Sequence, residues 1–471
     1  MIAHLKPYRQ YKKTGQMWLG DVPVHWQVLP NRAIFEEIKQ RDNHGEEMLS
    51  VTITRGIIRQ KVLLSESSKK DSSNKDKSAY KLVCPNDIAY NKMRAWQGAI
   101  GVSKFRGIVS PAYVVIRLRK KQNAKYFHYL FRTPHFAKEA ERWSYGITSD
   151  MWSLRPEHFR MIFTAVPTLD EQDSIVRFLD FASQRIERTI RAKRKLINLL
   201  NEQRQTIIRH AVTRGLDPNI PMRDSGVDWI GEIPAHWSCR KMKYVASLVG
   251  GMTPSKNNEK FWNGSIPWVS PKDMKVEIIT DSKNHISKSA LDQTSITLIP
   301  SPAVLIVVRG MILARTFPTA ITHVPVTINQ DMKALKVKPI VNPDYLVTLL
   351  TGSKRELLNL VEEAGHGTKC LRTDSWAAFK IPIPPLEEQE EILSQVNLET
   401  TIINTAIDRT EREINFLREY YTRLITDVVT GQLDVSEAAQ NLPEDEDELF
   451  NLTEEPGEEE SELEEEILSE D

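Results

Sequence analysis

Two copies of one motif combine tryptophan, proline and histidine, residue types that bind ligands as well as stabilise folds. Residues 18–26 and 229–237 both read Trp-x-Gly-x-x-Pro-x-His-Trp, and the copies lie 211 residues apart. Histidine serves as a metal ligand or a catalytic base, but each copy contains one histidine without ligand residues nearby. Proline fixes a turn, and the two indole rings supply large apolar contacts. We therefore predict a structural role for this tryptophan motif, with a metal or catalytic site as the alternative.

Motifs for catalysis and nucleotide binding do not occur in the sequence. It contains no Asn-Pro-Pro-Tyr/Phe or Asp-Pro-Pro-Tyr/Phe methylase motif, no GxGxxG or GxxxxGK[ST] phosphate loop and no HExxH zinc motif. Asp273 and Lys275 stand close together, but without the further acids that a metal nuclease needs. Cys84, Cys239 and Cys370 form no CxxC pair, so neither a cysteine zinc site nor a disulfide framework is predicted. We expect a non-catalytic chain that binds no metal and no cofactor.

A second repeat begins two long helical patterns. Pro-x-Leu-x-Glu-Gln occurs at residues 167–172 and 384–389, and Leu-Asp ends each pattern at residues 216–217 and 433–434, with an offset of 217 throughout. Apolar residues recur between these limits at steps of three and four, which places them on one face of a helix about 60 Å long. We predict that the two faces pack together, although each helix could instead pack separately on a globular domain. The predicted helix–helix seam comprises Ile175, Leu179, Ile186, Ile190, Ile197, Leu200 and Ile207 with Ile392, Val396, Ile403, Ile407, Ile414, Leu417, Leu424 and Val428.

Charge is distributed unevenly along the chain. Residues 436–471 contain 17 Asp and Glu and neither Lys nor Arg, whereas residues 1–435 carry a net charge of +17. A basic body indicates a polyanionic partner, most simply nucleic acid. We expect the acidic tail to be disordered, either as a solubilising extension or as a DNA mimic that competes for basic faces. Without a signal-peptide pattern or a long apolar run, we expect a cytoplasmic protein with no membrane partner.

The order of the repeats predicts a tandem α/β (α+β) architecture. We predict an arm (1–16), a globular domain (17–166), a long helix (167–217), a second globular domain (218–383), a second long helix (384–434) and the acidic tail (435–471). β-Branched and aromatic runs predict strands at 49–53, 57–64, 87–90, 99–102, 113–118, 268–270, 304–308, 311–314, 320–322 and 332–337. Helices are predicted at 125–143, broken near Pro134, and at 344–364, and a mobile polar loop at 65–78. An antiparallel coiled coil of the long helices would create a pseudo-twofold axis, and two unlike domains would then bind two unlike DNA half-sites.

Over residues 17–434 the sequence resembles the specificity subunit of type I restriction-modification enzymes. The resemblance rests on the duplicated helix start, the Leu-Asp ends and the tryptophan motif. Residues 91–99 and 107–113 are also similar to one type of target recognition domain, and residues 251–255, 266–274 and 329–333 to another.

The resemblance implies a division of labour in a phage-defence complex. Each target recognition domain would read one half of a bipartite, asymmetric DNA target, and the helices would fix the spacing and dock two methylase (modification) subunits. Those subunits would bind S-adenosylmethionine and methylate adenine N6, and restriction (translocase–nuclease) subunits would use ATP and Mg²⁺. Two alternatives remain: a coiled-coil scaffold whose variable domains bind proteins, and a self-sufficient restriction or methylation enzyme.

DNA contacts require cations for phosphates and planar donors on rigid loops for base edges. The predicted DNA-binding residues of the first domain are Lys92, Arg94, Trp96, Gln97, Arg106, Tyr145, Thr148 and Ser149. Those of the second domain are Ser255, Lys272, Asp273, Arg315, Asn329, Gln330, Lys333, Thr368 and Lys369. The alternative is that the aromatic residues belong to the core and that each lysine is merely solvated.

Overall fold

The computed structural model of the chain describes residues 5–43, 45–66, 76–146 and 151–443. Most of the loop predicted at 65–78 lies outside these ranges, as do Thr148, Ser149 and the acidic tail from residue 444 onward. The chain forms two compact units: unit 1 comprises Met1–Ala192 with Glu413–Asp471, and unit 2 comprises Lys193–Arg412. Each unit therefore contains a globular part and one portion of each long helix.

The secondary structure mixes short strands and helices with two long helices. Strands β1 to β26 are, in chain order, Tyr11–Lys13, Asp21–Pro23, Gln27–Pro30, Phe35–Ile38, Leu49–Thr52, Gly56–Arg59, Lys81–Val83, Ile88–Asn91, Ile100–Val102, Gly107–Val109, Tyr113–Leu118, Phe163–Val166, Met222–Asp224, Glu232–Pro234, Ser238–Lys241, Ala246–Gly250, Ile266–Val269, Ile278–Ile279, Asn284–Ile286, Ala303–Val307, Thr319–Thr322, Thr327–Ile328, Met332–Val337, Val361–Glu363, Lys369–Leu371 and Lys380–Ile383. Helices α1 to α12 are Asn31–Ile34, Gln60–Glu66, Ala124–Phe131, Pro134–Arg142, Pro156–Phe159, Leu169–Arg214, Lys288–Gln293, Pro343–Gly352, Lys354–Leu358, Thr373–Ala378, Leu386–Val429 and Ser436–Gln440. Short 3-10 helices include Ala95–Gln97, Pro271–Asp273 and Met311–Ala314.

Unit 1 is built on an antiparallel sheet with the order β4-β11-β8-β9. The centre of strand β11 is the β-branched run Val114 to Ile116, which suits a buried pleated surface and is buried. Phe127, Phe131 and Phe159, from α3 and α5, share one core with Trp26. This packing leaves the turn between β8 and β9 at one end of the sheet.

Unit 2 contains a five-stranded sheet, β16-β23-β20-β21-β18, and a three-stranded sheet, β19-β17-β22. Its strand β20 is buried along its whole length, as the unbroken apolar run Ala303–Val307 requires. Strands β17 and β22 pair in parallel, so their carboxyl ends meet at the same edge. The loops that follow both strands are thereby brought together.

The long helices α6 and α11 pack together. In unit 2, Ile208 and Val212 at the end of α6 share a core with Ile392 and Val396 at the start of α11. Arg204 Nη1 of the same unit donates a hydrogen bond to Asn404 Oδ1 at 2.9 Å. Because residue numbers rise along α6 as they fall along α11, the helices run antiparallel here.

The predicted seam residues differ in burial. In unit 1, Ile175 and Leu179 share a core with Leu424 and Val428, and that core also includes the globular part. The buried seam residues are Ile175, Leu179, Ile186, Ile392, Val396, Ile403, Ile407, Ile414, Leu424 and Val428. Those of intermediate burial are Ile190, Ile197, Leu200, Ile207 and Leu417. The helix ends thus pack on both the partner helix and a globular core.

Three predicted elements are wrong in part. The strand predicted at 57–64 ends at Arg59, and α2 follows because Gln60–Glu66 contains mostly good helix formers. Residues 311–314 form a 3-10 helix after Gly310, whose φ of 135° interrupts the extended backbone. The helix predicted at 344–364 breaks at Ser353 into α8 and α9, and residues 361–363 form β24. The predicted helix at 125–143 is confirmed as α3 and α4, separated at Pro134.

Candidate nucleic-acid interface

The tryptophan motif and the start of the following long helix form one joint in each unit. In joint 1, Trp26 Nε1 donates to Glu171 Oε1 at 2.9 Å, and His25 Nε2 lies 3.0 Å from Glu171 Oε2. Tyr8 adds a hydroxyl donor to Glu171 Oε1 at 2.7 Å. Burial, followed by its contacts with Glu171, raises the pKa of Tyr8 far above its ordinary value, so the hydroxyl stays a donor.

Joint 2 has the same arrangement, with the tryptophan motif 211 residues later and the helix start 217 residues later than in joint 1. Trp237 Nε1 donates to Glu388 Oε2 at 2.9 Å, and His236 Nε2 lies 2.7 Å from the same oxygen. Both histidines therefore contact a carboxylate of the protein. Across the described ranges, no three His, Cys, Asp or Glu side chains come together as a metal site would require.

The glutamine that follows each of these glutamates binds the globular part of its unit. Gln172 Nε2 donates to Pro167 O at 3.0 Å, and its Oε1 accepts from Asn123 N at 2.9 Å. In unit 2, Gln389 Nε2 donates to Pro384 O at 2.9 Å, and its Oε1 accepts from Asn342 N at 2.7 Å. Asn123 and Asn342 are the N-caps of α3 and α8.

Face 1 consists of residues 91–98 with Tyr145 and residues 152–154, and it joins two segments that are distant in sequence. Leu154 N donates to Lys92 O at 2.9 Å, and Tyr145 and Ser153 form an antiparallel bridge. The ring centroids of Trp96 and Trp152 lie 5.5 Å apart. The structure thus brings Lys92, Arg94, Trp96, Gln97 and Tyr145 to one end of unit 1.

Arg132 supports face 1, because its guanidinium donates hydrogen bonds to backbone carbonyl oxygens of two turns. Its Nη1 donates to Ile100 O at 3.1 Å, and its Nη2 donates to Ile53 O at 2.8 Å and to Thr54 O. Nearby, Lys81 Nζ donates to Tyr113 O. Burial is the main cause that lowers the pKa of Lys81, with a further contribution from Lys92, as expected where cations gather.

Face 2 consists of residues 252–255, 270–273, 308–310 and 329–331 at the edge where β17 and β22 end. Thr253 Oγ1 donates to Gln330 Oε1, which connects the first and last of these loops. Arg309 N donates to Asp331 O at 3.2 Å, so the loop after β20 lies beside the same connection. Ser255, Lys272 and Arg309 are exposed on these loops.

Comparisons with known proteins show what this chain is similar to. Residues 234–412 match the family model described as "Type I restriction modification DNA specificity domain". The specificity subunit of type I restriction enzyme EcoR124I/EcoR124II from Escherichia coli is 35% identical over 185 residues, which are 38% of this chain and 46% of that relative. The putative type I restriction enzyme MjaX specificity subunit from Methanocaldococcus jannaschii is 22% identical over 456 residues, covering 92% of this chain and 100% of that relative.

A solved chain described under "complex assembly and conformational transition of the type I R-M system" has a similar fold. Its TM-score is 0.62 at 15% identity, covering 88% of this chain and 99% of that one. Residues 234–412 thus carry the type I restriction modification DNA specificity domain, and the chain is similar to type I restriction-modification specificity subunits. In the alignment with the Escherichia coli relative it spans 46% of that protein's length.

Several predicted DNA-binding residues make bonds inside the protein. Asp273 accepts from Ser270 N and Oγ at 2.8 Å and from Lys283 N at 3.0 Å, so its carboxylate caps a loop. Asn329 is buried and accepts from Asp331 N at 3.1 Å. Both side chains thus help to hold the loops of face 2 in place.

The remaining predicted residues lie beside the faces or apart from them. Arg106 forms an ion pair with Glu46 at 2.7 Å at the opposite end of the β8–β9 hairpin from face 1. Lys369 Nζ donates to Glu363 Oε2 at 3.0 Å across the β24–β25 hairpin, and Thr368 lies in the loop that joins its two strands. Lys333 is the second residue of β23, the strand that directly follows face 2, and Arg315 is exposed after the 3-10 helix 311–314.

Sequence reasoning missed three residues of the two faces. Trp152 lies at a position that neither repeat nor periodicity identifies, and Thr253 acts through its contact with Gln330. Arg309 had a usable signal, because it is the first cation after the buried strand β20. A cation directly after a buried strand is well placed for phosphate contacts. Separately, every helix in the described ranges is too short or too polar to span a lipid bilayer.

Proposed function

We propose that this chain is the DNA-specificity subunit of a type I restriction-modification complex. Face 1 would read one half of a bipartite, asymmetric DNA target and face 2 the other half. The observation that carries the proposal is the duplicated joint, because the same tryptophan–glutamate hydrogen bond occurs in two units whose loops form unlike polar faces. Two copies of one support with different reading surfaces suit a target made of two different halves.

The long helices would fix the gap between the halves and dock two methylase subunits. Their outer faces support this role: Leu398 and Ile402 are 66% and 73% exposed, and Phe416 and Tyr420 are 67% and 47% exposed. In each pair the residues are four positions apart, so they lie on one side of α11. Exposed apolar pairs of this kind indicate a surface that a protein partner covers.

The chemistry would reside on the partner subunits. We propose that the methylase subunits bind S-adenosylmethionine and methylate adenine N6, and that restriction subunits use ATP and Mg²⁺. This chain would bind DNA and position those subunits without contributing a catalytic residue or binding a cofactor.

Methylation mapping tests the proposal directly. The chain would be co-expressed with its methylase partner in a host that lacks such systems, and N6-methyladenine would be mapped across the genome. We expect one motif of two short, unlike halves around a fixed gap. Replacing residues 27–153 with those of a relative should change one half only, and a Lys272→Ala/Arg309→Ala variant should weaken only the other.

The same experiment separates the rival function. If the complex assembles and methylates DNA without any motif that depends on this chain, DNA reading by the two faces is wrong. A scaffold whose variable domains bind proteins would then explain the exposed apolar pairs better.

A further inference from the structure

The Glu-Gln pair at the start of each long helix connects three parts of one unit. Glu171 accepts from the tryptophan motif and from Tyr8, while Gln172 binds the N-cap of α3 and the backbone of its own helix start. Because the two side chains bind different parts of the globular region, they fix both the direction and the rotation of the helix relative to it. A single contact would leave rotation about that contact free.

Contact with DNA or with another protein does not explain the two Glu-Gln pairs. Gln172 and Gln389 are 1% and 0% exposed, and both the carbonyl and the amide of each carboxamide are bonded inside the protein. Glu171 has a side chain that is only 10% exposed. Nor is helix-dipole stabilisation enough, since an acidic residue in the first turn needs no tryptophan or histidine partner for that. Asp170 and Glu387, which precede the two glutamates, already supply exposed negative charge there.

We propose that these two Glu-Gln pairs are positioning residues that set which gap length between DNA half-sites the complex accepts. The inference rests on the proposed function, because it concerns how two half-sites are read together. Adding one base pair to the gap moves a half-site by about 3.4 Å and rotates it by roughly 35° around the duplex. A joint that let a globular part turn by that angle on its helix would accept both gaps. Bonds from two adjacent residues to separate parts of the globular region prevent such a turn.

The test compares gap selection in the assembled complex of this chain with its methylase subunits. The substrates are duplexes that carry the mapped half-sites with the wild-type gap, or with a gap one base pair shorter or longer. We expect Glu171→Ala and Glu388→Ala to raise methylation of the wrong-gap duplexes relative to the correct one by about tenfold, the effect of roughly one lost hydrogen bond. The base preferences within each half should not change.

Two matched control substitutions remove a negative charge and leave the hydrogen bonds of the joints in place. Asp170→Ala and Glu387→Ala each delete one negative charge from the same first turn, and we expect wild-type gap selection from both. Glu171→Gln keeps one carbonyl acceptor for Trp26 and should retain most of the discrimination. If an alanine variant does not assemble, Tyr8→Phe removes one donor from joint 1 and should relax gap selection to a smaller extent.

Three results would overturn the inference. The first is unchanged gap selection in the folded, assembled alanine variants, or in Tyr8→Phe where the alanine variants fail to assemble. The second is equal relaxation in Asp170→Ala, which would assign the effect to charge. The third is a change of base preference without a change of gap selection. A wild-type complex with no bipartite motif would instead refute the proposed function, so the two failures are distinguishable.

Discussion

A glycine follows each long helix in the left-handed region, and substituting the two glycines separates backbone strain from steric overlap. Gly215 and Gly431 have φ angles of 74° and 77°. A Cβ atom on Gly431 would lie 2.9 Å from Pro23 Cγ and 3.1 Å from Trp26 Cη2, whereas a Cβ on Gly215 would lie 3.3 Å from Trp237 Cζ2. The two positions share their backbone strain and differ in available space.

The expected free energies follow from these distances. Alanine in the left-handed region costs about 1–2 kcal/mol, and its smaller unfolded-state entropy offsets about 0.4–1 kcal/mol of that. We therefore expect Gly215→Ala to lower the stability of unit 2 by about 1 kcal/mol or less. Gly431→Ala adds an overpacking cost of about 1–3 kcal/mol, because Trp26 is fully buried and cannot move aside. Its expected total is about 2–4 kcal/mol in unit 1.

Hydrogen exchange measures both effects locally, which suits a protein of two units for which a single melting curve is ambiguous. The reporters are the amides of Trp26 and Trp237, bonded to Pro23 O at 3.0 Å and to Pro234 O at 2.9 Å respectively. Each substitution should lower the opening free energy of the reporter in its own unit, and Gly431→Ala should lower it more. Equal losses, or a larger loss for Gly215→Ala, would refute the steric argument.

Three further predictions concern buried polar side chains of the two units. Tyr126→Phe should destabilise unit 1 by about 1–2 kcal/mol, because the buried hydroxyl donates to two backbone carbonyl oxygens at 3.0 and 3.1 Å. Tyr345→Phe in unit 2 should be neutral or stabilising, since the buried Tyr345 hydroxyl has no partner among the described residues. Chemical unfolding measures both changes. Burial, followed by Arg132 and other cations, lowers the pKa of His128 well below its ordinary value, so the side chain takes up a proton only on unfolding. The stability of the wild-type protein should therefore fall as the pH drops below about 6.5, by up to about 1.4 kcal/mol per pH unit more than that of His128→Gln. Unfolding measured over a range of pH checks this difference. Asp87→Ala should cost about 2 kcal/mol in chemical unfolding, because the Asp87 side chain is only 2% exposed and binds Arg117, whose side chain is 42% exposed. A loss below about 0.5 kcal/mol would contradict the burial argument.

The sequence predicts the long helices and the motifs of both joints, because both are local patterns that occur twice. It does not predict that Glu171 binds Trp26, since the partner lies 145 residues away and neither residue type requires the other. Nor does it predict that Val428 shares a core with the first globular part, because that contact depends on the chain returning to its beginning. The faces are harder still, since face 2 depends on the parallel pairing of two short strands, β17 and β22.

The globular parts share more than their sequences indicate. Asn123 and Asn342 cap equivalent helices, and Tyr126 and Tyr345 follow them at the same spacing, although few other residues match. These shared positions contact the joints, whereas the loops of faces 1 and 2 do not appear among the joint bonds. The loops are therefore free to change in length and type while the support stays constant.

This separation has a consequence for where the chain tolerates exchange. A replacement that begins after Trp26 and ends before Asn123 leaves every joint 1 bond intact, because each partner of Glu171 and Gln172 lies outside it. Arg132 lies outside the exchanged region as well, and it binds four backbone carbonyl oxygens rather than side chains. Foreign turns with a similar backbone path can satisfy it whatever their side chains are. The joint thus fixes orientation through specific side chains, while Arg132 supports the turns of face 1 through their backbone.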